Sequence, residues 1–160
     1  MPAFPRLSVE TREIDPVGDL LAYADPDRPL AWLRRGEGVV GVGEQSGYEH
    51  VGAEADSSLS AADAWRLIAA EADVDDPVGL PGTGLIAFGA LTFDARSAWP
   101  SRLIIPTTVV GRRGGRSWVT RIRRADGPHP PTGADMPQPR ALGPSWSDTL
   151  GPGSLDPAGY

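Results

Sequence analysis

The sequence contains no cysteine, no lysine and no asparagine. Without cysteine there are no disulfides, thiolate metal ligands, thiol nucleophiles or redox switches. Without lysine there is no lysine general base, no Schiff-base lysine and no P-loop lysine. Without asparagine there is no N-glycosylation acceptor. Long hydrophobic runs are also missing: the longest, around Leu85 to Phe93, is far too short to span a bilayer. The first residues, MPAFPRLSVE, lack the charged start and apolar run of a signal peptide, so the expected location is the cytoplasm.

What is present is acidic overall and uneven. Net charge is −6 and the isoelectric point about 4.8, which makes nucleic acid and anionic membranes unfavourable partners. All 15 basic residues are arginine. Residues 1–80 carry a net −10 and residues 81–160 a net +4. The length, 160 residues, fits one domain with a real core.

Alternation over 7–14 predicts a half-buried strand, with Leu7 and Val9 on one face and Ser8, Glu10 and Arg12 on the other. Asp15-Pro16 has the form of an N-cap followed by a first-turn proline, which predicts a short helix over 16–24. Leu30 to Arg34 and Val39 to Val42 read as strands, with a third from Tyr48 to Ala53. Ser60 begins the clearest helix, 60–72, in which Ala61, Ala64, Trp65, Ile68 and Ala72 form one apolar stripe. The acidic run Asp73, Asp75, Asp76 ends it as a solvated terminus. Residues 85–93 are apolar on both pleat faces, as in a central strand. Residues 103–113 and 116–123 flank Gly114-Gly115 and predict a tight hairpin, with a bulge or sheet edge at Pro106.

Periodicity stops at 125. The stretch 125–160 holds 8 Pro and 6 Gly, which predicts a linker or disordered tail after a folded domain at 1–124. Leu155-Asp156-Pro157 has the form of a helix start, and the expectation is that it leads toward a further domain. The fold class expected is α+β: a largely antiparallel sheet with one or two helices packed on it.

Several patterns carry possible chemistry. Gly82-Thr83-Gly84-Leu85-Ile86-Ala87 matches the loose dinucleotide fingerprint, but a helix should follow it and none is predicted, so a glycine turn into a buried strand is preferred. Eight arginines and no acid lie between Ala95 and Ala125. Among them Arg112, Arg113, Arg116, Arg121 and Arg123 form a candidate anion-binding ribbon, with a solvated hairpin face as the plainer alternative. His50 and His129 are far apart, and without cysteine a zinc site is not expected. No G-x-S-x-G elbow is present, and the three aspartates lack the glycine and glutamate of a calcium loop. Trp65, Trp99, Trp118 and Trp146 follow no repeat period, and the first and third read as core.

Two segments together resemble a known family. They are LAWLRRGEGVVGVGE (30–44) and the run from VGLPGTGLIAFGALTFD (78–94) through SRLIIPTTVVGRRGGRSWVTRI (101–122). Their order and spacing resemble the N-terminal region of isochorismate synthases in the chorismate-utilising enzyme family, over roughly residues 15–124. The resemblance implies the N-terminal half of that fold, packed beside a catalytic domain that is normally part of the same chain. Such enzymes convert chorismate to isochorismate for menaquinone or siderophore synthesis, with Mg²⁺ on the substrate carboxylate. The family's lysine base, acidic partner and metal-binding glutamates belong to the C-terminal catalytic portion and match no position here. The resemblance therefore implies an isomerase family but assigns no catalytic, cofactor or metal residue to this chain, which alone is expected to be inactive. The alternative is a stand-alone module whose arginine hairpin captures an anionic ligand or acidic partner.

Overall fold

A computed structural model describes residues 4–44, 46–50, 60–92, 99–127, 136–141 and 151, with the backbone alone for 46–50. The fold is α+β. Six strands form one mixed sheet: β1 (Leu7–Ile14), β2 (Leu30–Arg34), β3 (Glu37–Val42), β5 (Asp73–Asp75), β8 (Thr108–Arg113) and β9 (Arg116–Arg124). Their order is β2-β3-β8-β9-β1-β5. A smaller sheet contains β4 (Ser46–His50), β7 (Ser101–Ile105) and β6 (Phe88–Ala90), in the order β4-β7-β6. Among the described residues every strand pairing is antiparallel except β1 with β5.

The alternation of β1 survives intact. Leu7 and Val9 are buried against Ile122, Trp118 and Val109, while Ser8, Glu10 and Arg12 face the other way. On the inner face, Thr11 and Thr120 are cross-strand partners whose hydroxyls lie 2.9 Å apart, and Thr11 Oγ1 also accepts the Gly84 N–H at 3.1 Å. These buried polar groups satisfy one another, which keeps their desolvation tolerable.

Helix α1 (Ala61–Glu71) forms as its stripe predicts. Ala64 and Ile68 are buried, and Trp65 and Ala72 pack against the same core. Ser60 Oγ accepts the Asp63 N–H at 3.1 Å and donates to Asp63 Oδ2 at 2.7 Å, a reciprocal cap.

Four expectations are corrected. The helix expected over 16–24 is a single 3-10 turn, Leu20–Tyr23, capped by Asp19 rather than Asp15. It packs Leu20 onto Val40 and Val110, covering the outer face of the main sheet. The acidic run is not a solvated helix end: Asp73–Asp75 pairs with β1 as an edge strand, held by Arg12 to Asp75 at 2.6 Å. Charged side chains suit a strand with one unpaired side.

The third correction concerns 85–93, where only Phe88–Ala90 is a strand, and it lies at an edge of the small sheet. The preceding turn is fixed by Asp76, whose Oδ1 accepts from the Val78 and Gly79 N–H groups and whose Oδ2 accepts the Thr83 hydroxyl at 2.5 Å. Leu85, Ile86 and Ala87 then pack on the core as irregular chain. Their apolar character reflects a covering layer, not burial on both sides of a sheet. The fourth is at Pro106, where the expected single strand 103–113 divides. The chain leaves β7 and enters β8 in the other sheet, and the Thr107 carbonyl accepts the Ile122 N–H at 2.8 Å.

Within the proline-rich stretch, the Arg140 N–H donates to the Ala22 carbonyl of the 3-10 turn at 2.8 Å. Residues 128–135, 142–150 and 152–160 of that stretch, with His129, Trp146, Asp156 and Pro157, lie outside the described residues, as do residues 51–53 of the expected third strand and Phe93-Asp94. Among the described residues no helix is long and apolar enough to cross a membrane.

Candidate functional site: an arginine-lined cleft between two turns

The pairing of β3 with β8 brings two hairpin turns to one end of the main sheet. Gly38 is the cross-strand partner of Arg112, so the turn at Arg35-Gly36 sits beside the turn at Gly114-Gly115. Both turns use left-handed backbone at their two central positions: φ is 55° and 77° in the first, 58° and 77° in the second. That matches the twist of the flanking strands, and glycine adopts it freely. Arg35 is the one non-glycine residue with positive φ among the described residues, and it carries the strain of that conformation. The Gly114 N–H donates to Glu37 Oε1 at 2.8 Å, joining the two turns.

A cleft of about 450 Å³ opens here, lined by Trp32, Arg34, Arg35, Glu37, Gly38, Pro81, Arg112 and Arg113. Four arginines and one glutamate are thus among its lining residues. Arg112 is committed to the fold. Its Nη1 donates to the Val17 and Gly18 carbonyls at 2.8 and 2.7 Å, its Nε donates to Gly36 O at 3.1 Å, and its Nη2 also bonds Gly36 O. Arg34, Arg35 and Arg113 are exposed, and among the described residues no hydrogen bond or ion pair engages their side chains. Trp32 projects from the edge strand β2 with 78% of its surface in water.

The five arginines of the sequence-level ribbon separate into distinct environments. Arg113 lines the cleft, and Arg112 clips it to the 3-10 region. Arg116 is spent on Glu13, donating through Nε and Nη2 at 2.9 and 2.7 Å. That donation holds the Glu13 carboxyl below its usual range. Arg121, read as solvent-facing, is only 6% exposed, because the outer sheet face it occupies is itself covered. Arg123 is half-buried and does not line the cleft. The structure thus does not gather all five arginines at the cleft. Sequence reasoning missed Trp32, Arg34 and Arg35 as site residues. The available signal was Arg-Arg-Gly-Glu in one turn and Arg-Arg-Gly-Gly in another, but only the β3–β8 pairing unites them.

Gly82-Thr83-Gly84 forms a turn with positive φ at both glycines, and the strand β6 follows rather than a helix. No dinucleotide cradle exists there. Instead the Gly82 carbonyl accepts the Trp118 indole N–H at 3.2 Å. Among the described residues no three His, Asp or Glu side chains lie together as a metal-binding group.

No protein-family model, no curated protein and no solved structure matches this chain.

Proposed function

We propose that this chain is the N-terminal, non-catalytic portion of an isochorismate synthase-like enzyme of the chorismate-utilising family. The observation that supports this reading is the assembly of the resembling segments into one packed unit. Residues 30–42 form β2 and β3, β3 pairs with β8, and β8 turns through Gly114-Gly115 into β9. The glycine turn before Ala-Phe-Gly closes over that sheet through Gly82 and Trp118. Segments that resemble the family in order and spacing thus share one core.

In that family the full enzyme moves a hydroxyl around the chorismate ring: water adds at one carbon and hydroxide departs from another, with Mg²⁺ on the substrate carboxylate. A lysine base is required, and this chain contains no lysine. Its role in the reading is to pack beside the catalytic domain and support it. The test is complementation. Alone with chorismate and Mg²⁺ the chain should form no isochorismate. Added to a separately produced, lysine-bearing catalytic half of such an enzyme, it should bind and raise turnover. Isochorismate formed by the chain alone, or a failure of the two parts to associate, overturns the proposal.

A second reading, a module that captures an anionic ligand, is favoured by the cleft. Arg34, Arg35 and Arg113 leave three guanidinium groups uncompensated around one cavity. Inorganic pyrophosphate should then bind, and more weakly as salt is raised.

A further inference from the structure

Trp32 makes the cleft more than a patch of positive charge. An indole left 78% exposed on an edge strand is an unusual use of the largest apolar side chain, and it lies on the wall of the cavity that the free arginines line. An indole face accepts a flat ring, and guanidinium forks accept paired oxygens of phosphate or carboxylate. The volume, about 450 Å³, lies within the range of small-molecule pockets.

The surroundings hold this arrangement in place. Arg112 anchors the wall through backbone carbonyls of Val17, Gly18 and Gly36. The Glu37 carboxylate, the one acid in the lining, is tied to the Gly114 N–H. Arg35 keeps a left-handed backbone that glycine would adopt without strain, so the turn tolerates a cost to carry that side chain there.

We propose that the cleft between the Arg35-Gly36 and Gly114-Gly115 turns binds a ring-bearing polyanion, with its ring on Trp32 and its anionic groups on Arg34, Arg35 and Arg113. The proposal rests on the anion-binding reading and adds the class of ligand.

Calorimetric titration of the whole chain with two matched pairs tests it: ADP against inorganic pyrophosphate, and phthalate against malonate. In at least one pair the ring-bearing member should bind about tenfold more tightly or better, and the pair that does so identifies phosphate or carboxylate as the anionic group. Trp32→Leu should bring the two members of that pair to equal affinity. Arg35→Gly, which relieves the turn rather than straining it, should weaken both members, as should Arg113→Gln. If ring-bearing and ringless anions bind equally, the ring site is overturned while anion capture stands. If no anion binds, both are overturned. If binding persists unchanged in Arg35→Gly and Arg113→Gln, the ligand sits elsewhere and the proposal fails.

Discussion

Gly111 and Trp118 are cross-strand partners on β8 and β9, and the indole lies directly over the glycine. A β-carbon at Gly111 would stand 2.3 Å from Trp118 Cε2 and Cζ2. Trp118 is fully buried and cannot swing away. Gly111→Ala should therefore destabilise by about 1–3 kcal/mol, as overpacked cores do. Urea unfolding measures this. The cost should shrink in a Trp118→Leu background, where the clashing ring is gone, and equal cost in both backgrounds would show that the glycine matters for another reason.

Thr11 and Thr120 are unequal partners. Thr11 Oγ1 meets both the Thr120 hydroxyl and the Gly84 N–H, whereas Thr120 meets Thr11 alone. Thr11→Val leaves the Thr120 hydroxyl and the Gly84 N–H without partners, whereas in Thr120→Val the Thr11 hydroxyl still accepts the Gly84 N–H. At about 1–3 kcal/mol per buried unsatisfied group, Thr11→Val should be the more damaging. The double variant should cost less than the two singles summed, which equilibrium unfolding of all three variants would reveal.

Arg112 should behave as a structural residue. Lysine keeps the charge but cannot span the Gly36 carbonyl on one side and the Val17 and Gly18 carbonyls on the other. Arg112→Lys should cost about 1–2 kcal/mol in stability, within the range of charge-assisted hydrogen bonds. Amide exchange should accelerate first in the 3-10 turn, at the Ala24 N–H that bonds Leu21 O. Uniform acceleration across the sheet would argue against a local clip.

Acid should loosen the fold through its paired carboxylates. Glu13 lies below its usual range chiefly because Arg116 donates to it, Asp63 chiefly because Ser60 does, and Asp126 chiefly because Arg124 does. Each carboxylate is more acidic folded than unfolded. Each therefore adds stability above the unfolded value, about 4, and that contribution is lost as pH falls through the lower, folded value. The melting temperature should drop steadily below about pH 4. Glu13→Gln should flatten part of that slope, and an unchanged slope would remove Glu13 from the account.

Local patterns carried much of the fold. The alternation of β1, the stripe of α1 and the Gly114-Gly115 turn depend on near neighbours, and each formed as expected. Residues 85–87 did not, because an apolar stretch looks the same whether it forms a strand or covers one. The three aspartates became a strand because β1 offered an unpaired edge and Arg12 a counter-charge, neither of which is local to the run. Arg121 was misplaced for a similar reason: alternation identifies a face, not whether something covers it. Arg112 and Arg113 stood out in the sequence only as members of an arginine-rich hairpin. Their neighbours Trp32, Arg34 and Arg35 lie nearly eighty residues earlier, and only strand pairing connects them.

The crossing at Pro106-Thr107 ties together what the sheet order separates. One covalent run supplies β7 to the small sheet and β8 to the large one, and Ile105 is buried in the same core as Val109 and Trp118. Thr107 is gripped from both sides, its carbonyl by the Ile122 N–H and its hydroxyl by Val42 O at 2.8 Å. The small sheet cannot peel away without pulling the start of β8 out of the large one. The two layers therefore share a single opening transition, and protection of the β7 amides should rise and fall with that of β9.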